Sequence, residues 1–206
     1  MSDSIKQSVS VYYTAKLKKF GTTPQGVDWN SEESQALRFA QLTKVLSRDS
    51  VTFTVLDWGC GYGALYNFLV NGGLSFRYSG YDLSLDMINA CKTKFSNKPA
   101  QWFTNEELLP VHDYIIASGI FNVKMEFSNE EWLVYILKTL NTINRLSKRG
   151  FSFNILTSYS DKEYMKDNLF YADPCFFFDY CKKNFSREVA LLHDYQLYEF
   201  SIIVRK

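Results

Sequence analysis

The chain has 206 residues, 46% hydrophobic and 22% charged. Single domains run to about 100–200 residues, so the length fits one core, and the composition excludes a disordered or low-complexity protein. Twenty-three Lys and Arg stand against 22 Asp and Glu, a formal net charge of +1, which argues against a protein that tracks a phosphate backbone. Seventeen Phe, 14 Tyr and 4 Trp make the chain 17% aromatic, more than a small core needs, so some rings are expected to line a site.

Residues 1–10 are polar and carry both signs of charge, without the apolar stretch and small-residue cleavage site of a secretory signal; a cytoplasmic location is the expectation. No run approaches the ~20 apolar residues of a membrane span, the longest (Tyr114 to Phe121) being interrupted by Ser118 and Gly119. Cys60, Cys91, Cys175 and Cys181 show no C-x-x-C spacing, and only His112 and His193 could join them as nitrogen ligands, so no metal site is expected. Cys91 and Cys181 fall in expected helices and read as small core hydrophobes.

In chain order, the spacing predicts a helix over Glu32 to Leu46, with Asn30 and Glu33 as a capping box. A strand over Val51 to Leu56 runs into Asp57-Trp58-Gly59-Cys60-Gly61-Tyr62-Gly63, and a helix over Ala64 to Val70 follows. A second strand, Leu74 to Tyr81, ends in Asp82, after which Ser84 caps a helix carrying Leu85, Ile88 and Cys91 on one face. Pro99 to Phe103 and Tyr114 to Ala117 read as the third and fourth strands, the latter nearly continuous in apolar residues, as buried parallel strands are. Ser128-x-x-Glu131 opens a long helix through Leu133, Ile136, Leu137, Leu140 and Ile143 that ends at Lys148-Arg149-Gly150. Gly150 to Leu156 is the fifth strand, Asp173-Pro174 starts a helix over Cys175 to Lys183, and Arg187 to Leu192 and Tyr198 to Val204 form a closing antiparallel pair. The whole reads as one α/β domain: a helical extension or lid over residues 1–48 and a sheet-bearing unit over residues 49–206.

A glycine turn between a first strand and a helix brings backbone N–H groups to a ligand without naming it. Here the spacing is G-x-G-x-G, and Asp57 stands two positions before the first glycine, where a carboxylate repels a pyrophosphate and favours a cation. S-adenosylmethionine, with its sulfonium and α-ammonium groups and no phosphate, fits that demand. Asp82, at the end of the neighbouring strand ~5 Å away, can accept from both ribose hydroxyls. Leu83 offers an apolar edge for a purine, and Trp102 and Phe103 add flat surfaces.

At Val55-Leu56-Asp57-Trp58-Gly59-Cys60-Gly61-Tyr62-Gly63, Gly80-Tyr81-Asp82-Leu83-Ser84 and Asp113-Tyr114-Ile115-Ile116-Ala117-Ser118-Gly119 the sequence resembles the class I S-adenosylmethionine-dependent methyltransferases. The resemblance covers Val51 to Lys206. It implies a Rossmann-like seven-stranded sheet in order 3-2-1-4-5-7-6, last strand antiparallel, with helices on both faces. It also implies cofactor contact by Asp57, Gly59, Gly61 and Gly63, ribose binding by Asp82, adenine packing by Leu83, and Ser118 nearest the methyl group. The sequence departs from the family at one point: many members carry an acidic residue after the third strand that meets the adenine amino group, and here the nearest polar candidates are Thr104, Asn105 and Glu106.

Ligands of open parallel sheets sit outside the carboxyl ends of the strands, so acceptor groups are sought there. The segment after the fourth strand lacks the Asp/Asn-Pro-Pro-Tyr/Phe pattern of DNA amino-methyltransferases, which argues against DNA; Phe121 and Asn122 are its substrate candidates, although an Asn after a strand is more often a turn residue. His193-Asp194-Tyr195 joins the last two strands; Asp194 and Tyr195 are substrate candidates, and His193 is the leading general-base candidate, against the alternative of a surface hairpin histidine. His112 precedes the fourth strand and is expected to be structural. In the extension, Trp29 is a substrate candidate, and Tyr13 and Arg38 are assigned to the methionine carboxylate, against an Arg38 on a solvated helix face.

The expectation is methyl transfer to a small-molecule acceptor, foremost a hydroxyl of a sugar or other metabolite. Methyl transfer to protein or RNA and a non-catalytic nucleoside-binding module remain the alternatives, with a nicotinamide-dependent oxidoreductase behind them.

Overall fold

The computed structural model describes residues 2–46 and 52–206. The first strand expected from the sequence begins at Val51, which lies outside the described residues. An eight-stranded sheet is formed by β1 (Phe53–Trp58), β2 (Phe76–Tyr81), β3 (Ala100–Phe103), β4 (His112–Ala117), β5 (Ser147–Thr157), β6 (Tyr171–Ala172), β7 (Glu188–Leu192) and β8 (Glu199–Arg205). Its order is β3-β2-β1-β4-β5-β8-β7, with the two-residue β6 paired to the end of β5. β8 runs antiparallel to β5 and β7, and the remaining ladders are parallel. With β6 left out of the count this is the expected order 3-2-1-4-5-7-6.

Among the described residues six α-helices flank the sheet: α1 (Ser2–Phe20), α2 (Glu32–Leu42), α3 (Ala64–Asn71), α4 (Leu85–Lys94), α5 (Asn129–Leu146) and α6 (Pro174–Asn184). Side-chain alternation along each strand divides the core between the two faces. Ile115 and Ala117 of β4 and Phe151, Phe153 and Ile155 of β5 pack toward α5 and α6, while Tyr114 and Ile116 pack with α2, α3 and α4. Cys91 and Cys181 are fully buried, one on each face. No helix among the described residues is long and apolar enough to cross a membrane.

Three of the expected helix starts have their capping bonds. Ser84 accepts from the Met87 amide and Asp173 from the Cys175 amide, and Ser128 and Glu131 form a reciprocal capping box. The start of α2 is corrected by one residue: Ser31, not Asn30, is the cap, accepting from the Ser34 amide at 3.2 Å. That helix ends at Leu42 rather than Leu46, passing into a single 3-10 turn at Thr43–Val45 where the Thr43 hydroxyl bonds back to the Phe39 carbonyl. β5 begins at Ser147, three residues before the expected start, because α5 passes directly into it without a loop. β4 likewise begins at His112, so this histidine lies in the strand, with its ring bonded to Pro110 O (2.8 Å) and Ser79 Oγ (2.9 Å).

Within the expected helical extension, Ser2–Phe20 form the continuous helix α1. Ile5 is its one buried residue among those described, and polar contacts do most of the holding. Ser10 Oγ donates to Leu83 O (2.9 Å), Thr14 Oγ1 shares a hydrogen bond with Ser84 Oγ (2.7 Å), and Lys6 pairs with Glu106 (2.5 Å).

The loop after β4 is fixed from below by Trp132, fully buried on α5, whose indole N–H donates to Phe121 O at 2.7 Å. Trp132→Phe removes that donor and leaves a buried carbonyl and a small void. The expected loss is about 2–3 kcal/mol of unfolding free energy, read as a shift of the denaturant midpoint.

Candidate cofactor pocket

The carboxyl ends of β1, β2 and β4 open into a cavity of about 800 Å³, its open mouth included, roofed by α1 and the segment that leads to α2. The floor is the glycine turn. Gly59 N–H and Cys60 N–H donate to Tyr81 O (2.7 and 2.9 Å), and Gly61 N–H donates to Asp82 Oδ2 (2.9 Å). Gly59 and Gly61 have φ of 79° and 52°, and a Cβ at Gly59 would stand 2.3 Å from Ile120 Cγ2, so the turn needs glycine for both conformation and space.

Two carboxyl groups face this floor. Asp82 is fastened by backbone donors on both oxygens, Gly61 N to Oδ2 and Ser84 N to Oδ1 (2.9 Å), yet a carboxylate carries about four lone-pair positions, so each oxygen can accept again. Burial raises its pKa, and the two backbone bonds oppose that shift. Asp57 is 2% exposed and accepts from the Tyr78 hydroxyl at 2.6 Å. Desolvation dominates there: burial, opposed by the Tyr78 bond and reinforced by the charge of Asp82, raises the Asp57 pKa to about 7.

Of the candidates named from the sequence, Tyr13, Trp29, Asp57, Gly59, Gly61, Asp82, Leu83 and Ser118 line the cavity. Ser118 Oγ is buried there without a hydrogen-bond partner. Tyr13 is a neutral phenol, its ionisation pushed well up by burial.

The others stand outside the wall. Gly63 opens α3 in a left-handed conformation, backed by Phe95 and Trp102. Trp102 stacks on Phe95 (5.5 Å between centroids) and fills the space left by Gly80, so it braces the turn from behind, while Phe103 packs into the core and its carbonyl accepts from Asp82 N. Asn105 caps a short 3-10 turn and Glu106 is paired with Lys6. Phe121 is fully buried core, and Asn122 Oδ1 accepts from the Leu156 amide, a bond between the loop after β4 and the end of β5. The loop His193-Asp194-Tyr195 follows β7, which is parallel to β5, and so emerges at the same sheet edge. His193 and Asp194 are exposed there, the His193 ring 5.9 Å from that of Tyr159, and Tyr195 turns inward to Ser201 Oγ (2.8 Å).

Arg38 is neither on a solvated face nor on the wall. It is 8% exposed; Nη1 donates to Ser34 O, Nε lies 2.7 Å from Glu199 Oε1, and the guanidinium covers the Trp29 ring at 3.9 Å. Sequence reasoning missed Tyr135, Gln35 and Val9, which also line the cavity. Tyr135 lies on the buried stripe of α5 and carries no signal apart from core packing. Val9 belongs to a helix too polar to announce a buried face.

The comparisons agree with this geometry. The Mycobacterium tuberculosis protein named "Putative methyltransferase Rv1506c" is 48% identical over 155 residues, 75% of this chain and 93% of that protein. Among solved structures, magnesium protoporphyrin IX methyltransferase from Synechocystis PCC 6803, with bound SAH, superposes with a TM-score of 0.64 at 14% identity over 100% of both chains. The methyltransferase domain of bacterial CtHen1 gives 0.61 at 16% identity, over 84% of this chain and 99% of that one. No family model matches the chain. Sheet order, glycine turn and paired strand-end carboxylates define a methyltransferase fold; with the 48% identical relative, the chain belongs to the class I S-adenosylmethionine-dependent methyltransferases.

The raised pKa of Asp57 sets a pH signature on stability. A carboxyl that titrates near 7 when folded and near 3.8 when unfolded holds its proton longer in the native state, so it costs stability progressively as pH rises from about 4 to 7, and the cost is constant above. Asp57→Asn is therefore expected to stabilise the ligand-free protein by a few kcal/mol at pH 8 and by almost nothing at pH 4, compared through denaturant midpoints at the two pH values.

Proposed function

We propose that the protein transfers the methyl group of S-adenosylmethionine to a hydroxyl of a small-molecule acceptor, a sugar or other metabolite, with residues 1–48 serving as a lid on the unit that follows. The observation that carries the cofactor part is the pairing of a half-buried, fastened carboxylate, Asp82, with a buried, uncompensated carboxyl, Asp57, across a glycine turn that has no room for a Cβ at Gly59. The residues fit the group. Asp82 has lone pairs left for both ribose hydroxyls, Leu83 offers the apolar edge for adenine, and Asp57 lacks a cationic partner that an α-ammonium would supply. Tyr13 presents a phenolic donor from the roof for the methionine carboxylate. Arg38, committed to Glu199, reaches the cavity only through Trp29.

When bound, S-adenosylmethionine supplies a methyl carbon on a positively charged sulfur, which leaves as a neutral thioether. The protein's share is alignment and exclusion of water, which supply most of the acceleration for a neutral nucleophile. Ser118 Oγ, buried on the wall with unused hydrogen-bonding capacity, supports a hydroxyl acceptor that it would orient. The general-base role belongs to His193 only for an acceptor that extends beyond the cavity wall to the loop after β7. A roofed cavity and a net charge of +1 favour a small molecule over a nucleic acid.

Two measurements test this reading. Incubation with methyl-labelled cofactor and a cell extract is expected to put label into a small-molecule product, abolished by Asp82→Ala; label recovered only in protein or RNA overturns the acceptor class, and binding without turnover overturns the enzyme. Pairing with an ammonium also requires Asp57 to lose its proton, so affinity for S-adenosylhomocysteine is expected to rise up to about tenfold per unit below pH 7 and level off above it. Titration calorimetry in Asp57→Asn should show that slope removed.

A further inference from the structure

The α2-facing side of β5 and β8 carries an unusual buried polar strip. Ser152, Asn154, Glu199 and Ser201 are each no more than 1% exposed, at positions where alternation on the opposite face places Phe151, Phe153, Phe200 and Ile202. Two members of the strip are spent on backbone: Ser152 Oγ donates to Leu42 O (2.9 Å), and Asn154 Oδ1 accepts from Gly119 N (2.8 Å). Glu199 is different. Among the described residues its counter-charge is Arg38, at 2.7 Å and without hydrogen-bond alignment; the Asn154 side chain adds a favourable interaction, yet neither carboxylate oxygen has an aligned hydrogen-bond partner. Burying two charges for so little bonding costs stability that an apolar pair of the same volume would not.

What the pair does is visible in what Arg38 touches next. Its guanidinium covers one face of Trp29 at 3.9 Å. On another side the same indole sits on Gly119, so closely that a Cβ there would stand 2.2 Å from Trp29 Cζ2. Gly119 is itself held by Asn154, and Trp29 and Gly119 both line the cofactor cavity. Trp29 enters this position from a short 3-10 turn at Pro24–Val27, where Gly26 N donates to Thr23 O and Trp29 N to Pro24 O, both at 2.9 Å. A chain of contacts thus runs from the roof at Trp29 through Arg38 of α2 to Glu199 of the last strand, 161 positions from Arg38 in sequence.

We propose that Glu199 is a positioning residue for cofactor binding: acting through Arg38, it holds Trp29 down on Gly119 and so keeps the roof closed over the cavity. Glu199 does not reach the cofactor. It fixes the guanidinium plane, and the guanidinium, weakly hydrated and flat, fixes the indole by stacking. A neutral residue at 199 frees Arg38 to turn toward water, and the ring loses the support on its outer face. The inference rests on the cavity being the cofactor site, but its first readout does not.

The test uses the full-length chain. In Glu199→Gln without ligand, hydrogen exchange at the amides of Gly26, Asp28 and Trp29 is expected to speed up while β1, β4 and β5 keep their protection. S-adenosylhomocysteine affinity measured by calorimetry is expected to fall roughly tenfold. If Glu199→Gln does not fold, Arg38→Met with Glu199→Leu takes its place, since an apolar pair of similar volume commonly restores stability, and the same two changes are expected. The route through Trp29 is checked by a cycle: Trp29→Ala and Trp29→Ala with Glu199→Gln should bind S-adenosylhomocysteine equally, because the second change has nothing left to act through. A lowered melting temperature with unchanged exchange at residues 26–29 and affinity within twofold of wild type would make Glu199 purely structural and overturn the proposal. Wild-type protein that does not bind S-adenosylhomocysteine would overturn the reading of the cavity instead, leaving the exchange result to decide the role of Glu199.

Discussion

The structure turns on the two backbone hydrogen bonds accepted by Asp82. One oxygen takes the N–H of Gly61 and the other the N–H of Ser84, so a single side chain ties the glycine turn after β1 to the start of α4. Ser84 passes the connection on, capping α4 through the Met87 amide and meeting Thr14 of the N-terminal helix, while the neighbouring carbonyl of Leu83 receives Ser10. Floor, flanking helix and roof of the cavity are thus all referred to three consecutive residues. The carboxylate proposed for the ribose hydroxyls is thus also the one that organises the site before any ligand is bound, and such preorganisation lowers the cost of binding.

Asp57 shows the opposite economy. Its carboxyl is buried with one neutral donor, Tyr78, and no cation, and the nearby charge of Asp82 makes its ionisation harder still. A core residue of the same size without charge would be more stable. Proteins commonly carry such local destabilisation at binding sites, where the missing partner comes with the ligand. The aromatic backing makes the cost tolerable: Tyr66, Tyr78, Phe95 and Trp102 form a chain of edge and stacked contacts directly behind the turn, a rigid wall against which the charged groups are held.

Local chemistry made much of this legible from the residues alone. The glycine spacing, the acids at the ends of two neighbouring strands and the caps at Ser84, Ser128 and Asp173 are each decided by a few adjacent residues, and the strand order followed from the resemblance those residues carried. What stayed hidden depends on partners distant in sequence. Arg38 reads as a surface or cofactor residue until Glu199, 161 positions later, is found beneath it. Trp102 reads as a flat surface for adenine, yet the missing side chains of Gly63 and Gly80 draw it behind the turn. α1 has no strong apolar period because it is held mainly by hydroxyls and ion pairs, and nothing between Leu146 and Ser147 marks a helix that becomes a strand without a loop.

The way α1 is attached differs in kind from the way the sheet is held. Lys6 to Glu106, Lys16 to Asp28 and Lys18 to Asp86 fasten it by charge at or near the surface, and among its described residues Ile5 is the one fully buried side chain, with Val9 packed partly against the same core. Ion pairs of that kind are weak and screened by salt, whereas the sheet beneath is held by apolar burial that salt does not loosen. Raised ionic strength is therefore expected to loosen the attachment of α1 before it loosens the sheet, so that the two parts of the chain differ in what unfastens them.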